Sequence, residues 1–162
     1  MRFKNTNEIK IVPSIYMIIV AAFVTNIFVN LELMASDNQT EVSWNHFLPN
    51  IILIVFGIYF HRIAQLFEFD SDGETLNFKN NGVFFSKFME YRVKRAEFPK
   101  GKLIDFSILD LGVFSSLKII IQSKRIKGPR TYTFNITFLS RKKKRGMKES
   151  LRKVVEKNNL TT

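Results

Sequence analysis

The chain has 162 residues and a hydrophobic content of 46%, which is enough for one packed domain with small additions. It contains no cysteine, which excludes disulfide bonds, thiolate nucleophiles and cysteine-ligated zinc. The formal net charge is +11, but residues 1–67 hold four Lys and Arg against four Asp and Glu, whereas residues 68–162 hold 21 against 10. The positive excess therefore belongs to the second part of the chain.

Two long apolar segments dominate the first part of the chain. Residues 11–34 are apolar for long enough to cross a bilayer, which takes about 20 residues. A secretory signal peptide is the competing interpretation, but a second apolar segment follows at 46–67 and no small-x-small cleavage site precedes it. The sequence predicts a transmembrane hairpin, with helices over 11–34 and 46–67 joined by loop 35–45.

The charges beside these segments orient the hairpin. Basic residues precede the first segment and end the second, and acidic residues lie between them: Arg2, Lys4, Lys10, His61 and Arg62 against Glu32, Asp37 and Glu41. Loops rich in Lys and Arg stay in the cytoplasm. We therefore expect a multi-pass protein of the inner (plasma) membrane, with loop 35–45 outside and both termini, including residues 1–10, in the cytoplasm.

Asn26 and Asn30 are the polar interruptions of the first segment. They are four residues apart and share a helix face, where amide side chains can bond to a neighbouring helix or to a second copy of the protein. Two interpretations stay open. The pair could form an oligomer contact or line a polar pore, or it could simply lie near the outer interface and bond within the hairpin.

From residue 66 the apolar residues alternate with polar ones, which is typical of strands with one buried face. Turn signals at Asp72-Gly73 and Asn81-Gly82 separate the first of them. Seven short strands are predicted over 66–138, followed by an amphipathic helix over 140–158. We expect a domain over 68–162 in which a closed or nearly closed antiparallel barrel or sandwich is capped by that helix. The inward positions are predicted to include Phe67, Phe69, Leu76, Phe78, Ile104, Leu117, Ile119, Ile121 and Phe134.

Seven strands and one C-terminal helix is the order of the pleckstrin homology (PH) fold. The chain from 66 to 158 resembles bacterial PH-like domains that follow a two-helix membrane anchor, notably in FEFDSDGETLNFKN and FNITFLSRKKKRGMKESLRKV. The resemblance implies an α+β membrane protein with a non-enzymatic, membrane-tethered role. Lipid-binding PH domains of eukaryotes carry a basic motif in the first hairpin loop, but here that loop reads DSDGE. Phosphoinositide binding is therefore not implied.

The sequence shows no constellation typical of catalysis or of cofactor binding. Glycine-rich phosphate loops, serine elbows and metal-ligand clusters are missing from the pattern. The DSDGE stretch has its glycine at the fourth position and strands around it, so a turn is favoured over a calcium loop. His46 is predicted outside and His61 at the membrane edge, where neither can serve the domain as a base. We expect no catalytic residue, no metal and no cofactor.

The candidate binding residues are basic. One group lies between the last two predicted strands and the other at the start of the predicted helix: Lys124, Arg125, Lys127 and Arg130, then Arg141, Lys142 and Arg145. Nucleic acid is not the expected partner, because the aromatic residues take inward positions instead of interleaving with the basic ones. Anionic lipid head groups are favoured, since a tethered domain is already beside the inner leaflet. The charges could also serve solubility alone.

Three functions are consistent with this pattern. The leading hypothesis is a membrane-anchored, non-enzymatic interaction module that binds a protein partner or anionic lipid at the cytoplasmic face. The second is a two-helix membrane effector of the anti-phage type, with a ligand-sensing β-barrel and homo-oligomeric helices. The third is an accessory subunit of a larger membrane complex.

Overall fold

The computed structural model describes residues 1–36, 47–83, 93–123 and 128–161. The chain divides into two compact units. The β unit consists of Met1–Lys10 and Ile63–Thr162, and the apolar unit is Ile11–Arg62. The chain thus leaves the β unit after Lys10 and returns to it at Ile63.

The first sheet of the β unit has four antiparallel strands in the order β1-β2-β3-β4. Its bounds are Arg2–Lys4 for β1, Gln65–Asp70 for β2, Thr75–Gly82 for β3 and Lys94–Pro99 for β4. The turn between β2 and β3 contains Gly73, whose φ of 69° belongs to the left-handed region that glycine adopts without a Cβ clash. This is the turn that Asp72-Gly73 predicts. Asn81-Gly82, in contrast, lies inside β3 opposite Leu66 and Gln65, so the turn predicted there is wrong.

The second sheet has three antiparallel strands in the order β5-β6-β7, with bounds Leu103–Asp110, Ser115–Gln122 and Pro129–Asn135. A short 3-10 turn connects β4 to β5. The C-terminal helix α4 spans Arg141–Thr161 and runs antiparallel to the edge strand β5, because Lys144 contacts Asp110 at the end of β5 while Asn158 donates to the carbonyl of Leu103 at its start. An edge strand whose carbonyl is bonded in this way is shielded from pairing with other chains.

Both sheets and α4 share one core of phenylalanine and aliphatic side chains. Phe78 in β3 stacks on Phe134 in β7 with ring centroids 5.4 Å apart, and both rings are fully buried. Met147 and Leu151 add the apolar stripe of α4. The buried set includes Phe67, Phe69, Leu76, Phe78, Leu117, Ile119, Ile121 and Phe134, which confirms these inward predictions. The interior is thus filled by its own side chains.

The predicted closed seven-stranded barrel is wrong. In the described part of the chain the strands form two separate sheets of four and three, and neither closes on itself. All seven predicted strands lay within residues 66–138, whereas strand β1 of the structure is formed by N-terminal residues Arg2–Lys4. The predicted strand residues 84–92 lie outside the described residues, and no second pairing partner for β1 or β7 is seen within the described ones.

Residues 1–10, expected as the cytoplasmic N-terminus, are part of the β unit. Phe3 opposes Phe69 in the β1–β2 ladder, and Lys4 and Arg2 pair with the carboxylates of Glu68 and Asp70 on the outer face. The short helix α1, Thr6–Ile9, follows directly. The basic residues assigned above to membrane orientation therefore also neutralise acidic residues of β2.

The apolar unit contains helix α2, Val12–Ser36, and most of helix α3, Leu48–Ile63. One helical stretch among the described residues, Thr6–Leu33, is long and apolar enough to cross a membrane by length and composition, and almost none of it is buried. The predicted pair of spans is not what the structure shows. Helix α3 has 16 residues, so it is about 24 Å long, shorter than the roughly 30 Å hydrocarbon core. It ends because Gln65 begins β2.

Candidate functional site

The basic run at the start of α4 is divided by the helix into exposed and inward residues. Arg141, Lys142 and Arg145 are exposed, whereas Lys143 and Lys144 are partly buried. Successive helical residues step by about 100°, so five consecutive side chains cannot share one face. The ammonium groups of both inward lysines form ion pairs.

Lys143 joins α4 to the N-terminal part of the β unit. Its ammonium group lies 2.9 Å from Oε1 of Glu8 in α1, and it donates to the backbone carbonyl of Lys4 at 2.7 Å. Both side chains are about three-quarters buried, at 28% and 24% exposure. A pair that is shielded in this way is screened less by salt than one on the open surface. The first turn of α4 is therefore fixed to the residues that lead into the apolar unit.

Lys144 joins α4 to the hairpin between β5 and β6. Its ammonium group donates to Oδ2 of Asp110 at 2.9 Å and to the hydroxyl of Ser115 at 2.8 Å. The Ser115 hydroxyl in turn donates to Oδ1 of Asp110 at 2.6 Å. The hydrogen bonds that Ser115 and Lys144 donate to Asp110 lower its pKa from 3.8 to about 2, because both stabilise the ionised carboxylate. The result is a compact Asp–Ser–Lys contact at the base of the hairpin.

A serine beside a lysine amine is also a possible nucleophile and base. Here, however, Ser115 has no exposed surface, and its hydroxyl hydrogen is directed to Asp110. A substrate carbonyl cannot reach a fully buried hydroxyl. The contact therefore holds α4 against the hairpin and does not make a catalytic dyad.

Hydrogen bonds extend from this contact to the residue at which the chain re-enters the β unit. Thr137 accepts from the backbone N–H of Ser115 and donates to Asn135, and the amide of Asn135 donates to the carbonyl of Ile63 at 3.2 Å. Asn80 adds a link between the sheets, since it donates to Gln65 and to the carbonyl of Asn135. Both chain junctions thus lie beside the start of α4. We call this part of the β unit the junction end, defined by Glu8, Ile63, Asp110, Asn135 and Lys144.

The two predicted basic groups are separated by the fold. Arg141, Lys142 and Arg145 lie at the junction end, whereas Arg130 lies at the other end of β7, opposite Ile121. Its guanidinium packs over the ring of Tyr132 at 5.0 Å. Asn135 lies five positions after Arg130 in β7, which corresponds to roughly 17 Å along the strand. Lys124, Arg125 and Lys127 lie outside the described residues.

Asn26 and Asn30 are brought together, as their spacing predicts. The amide of Asn30 donates to Oδ1 of Asn26 at 3.0 Å within α2. Elsewhere in the apolar unit, the hydroxyl of Tyr16 lies 2.9 Å from Nδ1 of His61, so α2 and α3 contact each other at that point. His61 therefore has a structural partner in α2. Whether the asparagines contact another molecule stays a prediction.

Lys148 is the basic residue that sequence reasoning missed. It is exposed, it lies one turn after Lys144, and it shares a helix face with Arg141 seven residues earlier. The heptad spacing was the available signal, but the preceding run of charges obscured it. Across the described residues there is also no group of three or more acidic or histidine side chains that could hold a metal ion.

The Asp110 contact predicts how stability depends on pH. A depressed pKa stabilises the folded state above about pH 4, and this contribution is lost as the pH falls through about 2. We therefore expect the β unit of the Asp110→Asn variant to be less stable than that of the original protein at neutral pH. At pH 2 the two proteins should have the same stability. Urea titrations of the full chain across this range measure the difference. Asp105→Asn, in the same strand, is the control and should leave the acid dependence in place.

No protein-family model, curated protein or solved structure matches this chain. The resemblance to bacterial PH-like membrane proteins therefore rests on the sequence pattern alone. What the geometry provides is a β unit whose exposed cations Arg141, Lys142, Arg145 and Lys148 lie beside both junctions with an apolar unit.

Proposed function

We propose that the protein is a membrane-anchored, non-enzymatic interaction module whose junction end binds anionic lipid head groups. The apolar unit holds the protein in the plasma membrane, and the β unit, which contains both residues 1–10 and the C-terminal helix, lies at the cytoplasmic face. The charge distribution supports this orientation, because Arg2, Lys4, Lys10 and Arg62 flank the apolar unit.

One observation carries the proposal. Glu8 and Ile63, which lie beside the two junctions, are bonded to the start of α4 and to the polar residues around it. The apolar unit leaves and rejoins the β unit at this one end, so a membrane that receives the apolar unit has the junction end at its surface. The exposed cations Arg141, Lys142 and Arg145 belong to this same end of the β unit, where they can meet anionic head groups.

Two arguments favour lipid over other acidic partners: the attraction of basic residues to an anionic leaflet, and the position of the aromatic residues. Each Lys or Arg near an anionic leaflet contributes about 1 kcal/mol of attraction. Nucleic acid binding needs exposed aromatic side chains for stacking, but Phe67, Phe69, Phe78 and Phe134 are all fully buried. A protein partner at the same surface is the alternative that the experiment below separates from lipid.

The effector hypothesis receives less support. A ligand sensor needs a pocket in its β domain, but the core between the two sheets is filled by phenylalanine and aliphatic side chains. Among the described residues of the β unit, the cavity of about 420 Å³ beside Lys100 and Lys153 lies at the surface, next to the C-terminal half of α4. The accessory-subunit hypothesis predicts a protein that co-purifies in fixed stoichiometry.

The placement of the junction end can be measured with spin labels, because the chain has no native cysteine. Lys142→Cys and Arg130→Cys each replace one exposed basic residue, at the junction end and at the far end of β7 respectively. The full chain is labelled with a nitroxide and reconstituted into phosphatidylglycerol and phosphatidylcholine vesicles that contain a lipid with a gadolinium chelate on its head group. Nitroxide relaxation then reports proximity to the head groups.

We expect the label at position 142 to relax several times faster than the label at 130. Equal relaxation at the two positions would contradict the proposal. Slow relaxation at 142, together with a protein that cross-links to it in native membranes in fixed stoichiometry, would replace lipid by a protein partner.

A further inference from the structure

We infer that the loop between β5 and β6 inserts its apolar side chains into the lipid leaflet beside the junction end. This inference rests on the proposed function, because the β unit must already lie at a membrane surface. It adds a second kind of contact, in which apolar side chains enter the interface while the neighbouring cations meet the head groups.

The loop presents large apolar side chains that the fold does not bury. Leu111 is 64% exposed and Val113 is 72% exposed, and Leu109 at the end of β5 is 51% exposed. The loop is nevertheless ordered by its own bonds. The N–H of Leu111 donates to the carbonyl of Phe114 at 2.9 Å, and Gly112 has a φ of 81°, which closes the tight turn.

The loop is joined to the basic start of α4. Asp110 lies immediately before it and pairs with Lys144, and Ser115 lies immediately after it and bonds to the same lysine. Lys144 is one turn from both Arg141 and Lys148 on the helix. The apolar loop therefore has exposed cations beside it. The bonds from Lys144 to Asp110 and Ser115 hold the loop next to these cations.

An apolar loop beside exposed cations is typical of protein surfaces that bind membranes. An apolar surface beside basic residues binds an anionic leaflet through burial of apolar area and through charge attraction together. A protein partner would instead favour a larger continuous apolar patch with polar groups around it. The loop is small, and in the described part of the chain Arg141, Lys142 and Arg145 form no ion pair with an acidic side chain. Both features fit an anionic leaflet better.

The connectivity of the chain supports the same surface. Asn135 and Thr137 link the base of the loop to Ile63, where the chain returns from the apolar unit. Ser115, which belongs to this network, directly follows Phe114, the last residue of the loop. It therefore lies at the end of the β unit that the anchor holds at the membrane.

The test uses tryptophan fluorescence in the full chain. Trp44 is the single tryptophan, so Trp44→Phe gives a silent background for Val113→Trp at the loop. Leu160→Trp is the matched control, since Leu160 is also an exposed apolar residue. It lies 16 residues beyond Lys144, or about 24 Å along α4 from the junction end. Each variant is reconstituted into phosphatidylglycerol and phosphatidylcholine vesicles whose acyl chains carry bromine.

The tryptophan at position 113 is expected to emit at shorter wavelength and to be quenched several-fold more strongly by brominated chains than the one at 160. Equal quenching at the two positions overturns the inference. Protection of position 113 from acrylamide without quenching by bromine also overturns it and indicates a protein surface. In either case, fast relaxation of the label at 142 shows that the proposed function stands without insertion, whereas slow relaxation there rejects both.

Discussion

Replacing Asn5 by alanine is expected to lower the free energy of unfolding of the β unit by about 2–4 kcal/mol, because one buried and one partly buried backbone group each lose a partner worth about 1–3 kcal/mol. Asn5 has no exposed surface. Its Oδ1 accepts from the N–H of Phe67 at 2.8 Å, and its amide donates to the carbonyl of Gln65 at 3.1 Å. The side chain thus fixes the residue before α1 to β2.

The measurement is a urea titration of the full chain in mild detergent, followed by the circular dichroism of the β-sheets. Asn7→Ala is the matched control, since it removes the same side chain from an exposed position in α1. We expect that variant to stay within about 0.5 kcal/mol of the original protein. An Asn5→Ala variant that is no less stable than Asn7→Ala would show that residues 1–10 do not belong to the β unit.

The alternating pattern was sufficient to predict the buried face of most strands. Phe67, Phe69, Leu117 and Ile119 are buried as the period of two requires. Ile104 was predicted inward but is 43% exposed, because the β5–β6 ladder shifts register between Leu103 and Asp105. The bulge makes Ile104 the extra residue of β5, so that Leu103 before it and Phe106 after it both face the core.

The closed barrel was wrong, and strand β1 was missed, for a different reason. Strand β1 consists of three residues, too few to show alternation, and it forms only because β2 offers an open edge some 60 residues later. The second predicted span was too long because Leu66 and Phe67 extend an apolar run that changes from helix to strand at Gln65. Hydropathy alone cannot locate that change.

The candidate site was predictable in part. Helical spacing alone separates Arg141, Lys142 and Arg145 from Lys143 and Lys144 in the run RKKKR. The partners of the inward pair could not be predicted, because Glu8 and Asp110 lie 135 and 34 residues away in the chain. The apolar loop after Asp110 was also missed, since LDLGVF has the pattern of an ordinary strand end.

The exposed cations of the junction end are expected to control lipid selectivity. Arg141→Gln, Lys142→Gln and Arg145→Gln together should weaken the affinity for phosphatidylglycerol by about 10- to 100-fold, because each charge contributes up to about 1 kcal/mol at an anionic surface. The side chains make no ion pair that is seen among the described residues, so the fold should be retained. The effect should diminish as the salt concentration rises.

The control removes the same number of positive charges from other exposed positions of the β unit. Lys118→Gln, Arg130→Gln and Lys153→Gln together lower the net charge equally but leave the junction end intact. If net charge alone attracted lipid, the two triple variants would lose affinity to the same extent. If the junction end is the binding surface, the control should change the affinity by less than about threefold.

Native mass spectrometry of the full chain in neutral detergent tests the central claim most directly, with phosphatidylglycerol and phosphatidylcholine supplied in equal amounts. The account predicts that the original protein and the control triple retain phosphatidylglycerol in preference to phosphatidylcholine, and that the Arg141, Lys142 and Arg145 triple variant loses this preference. Unchanged lipid selectivity in that variant, or an equal loss in the control, would contradict it.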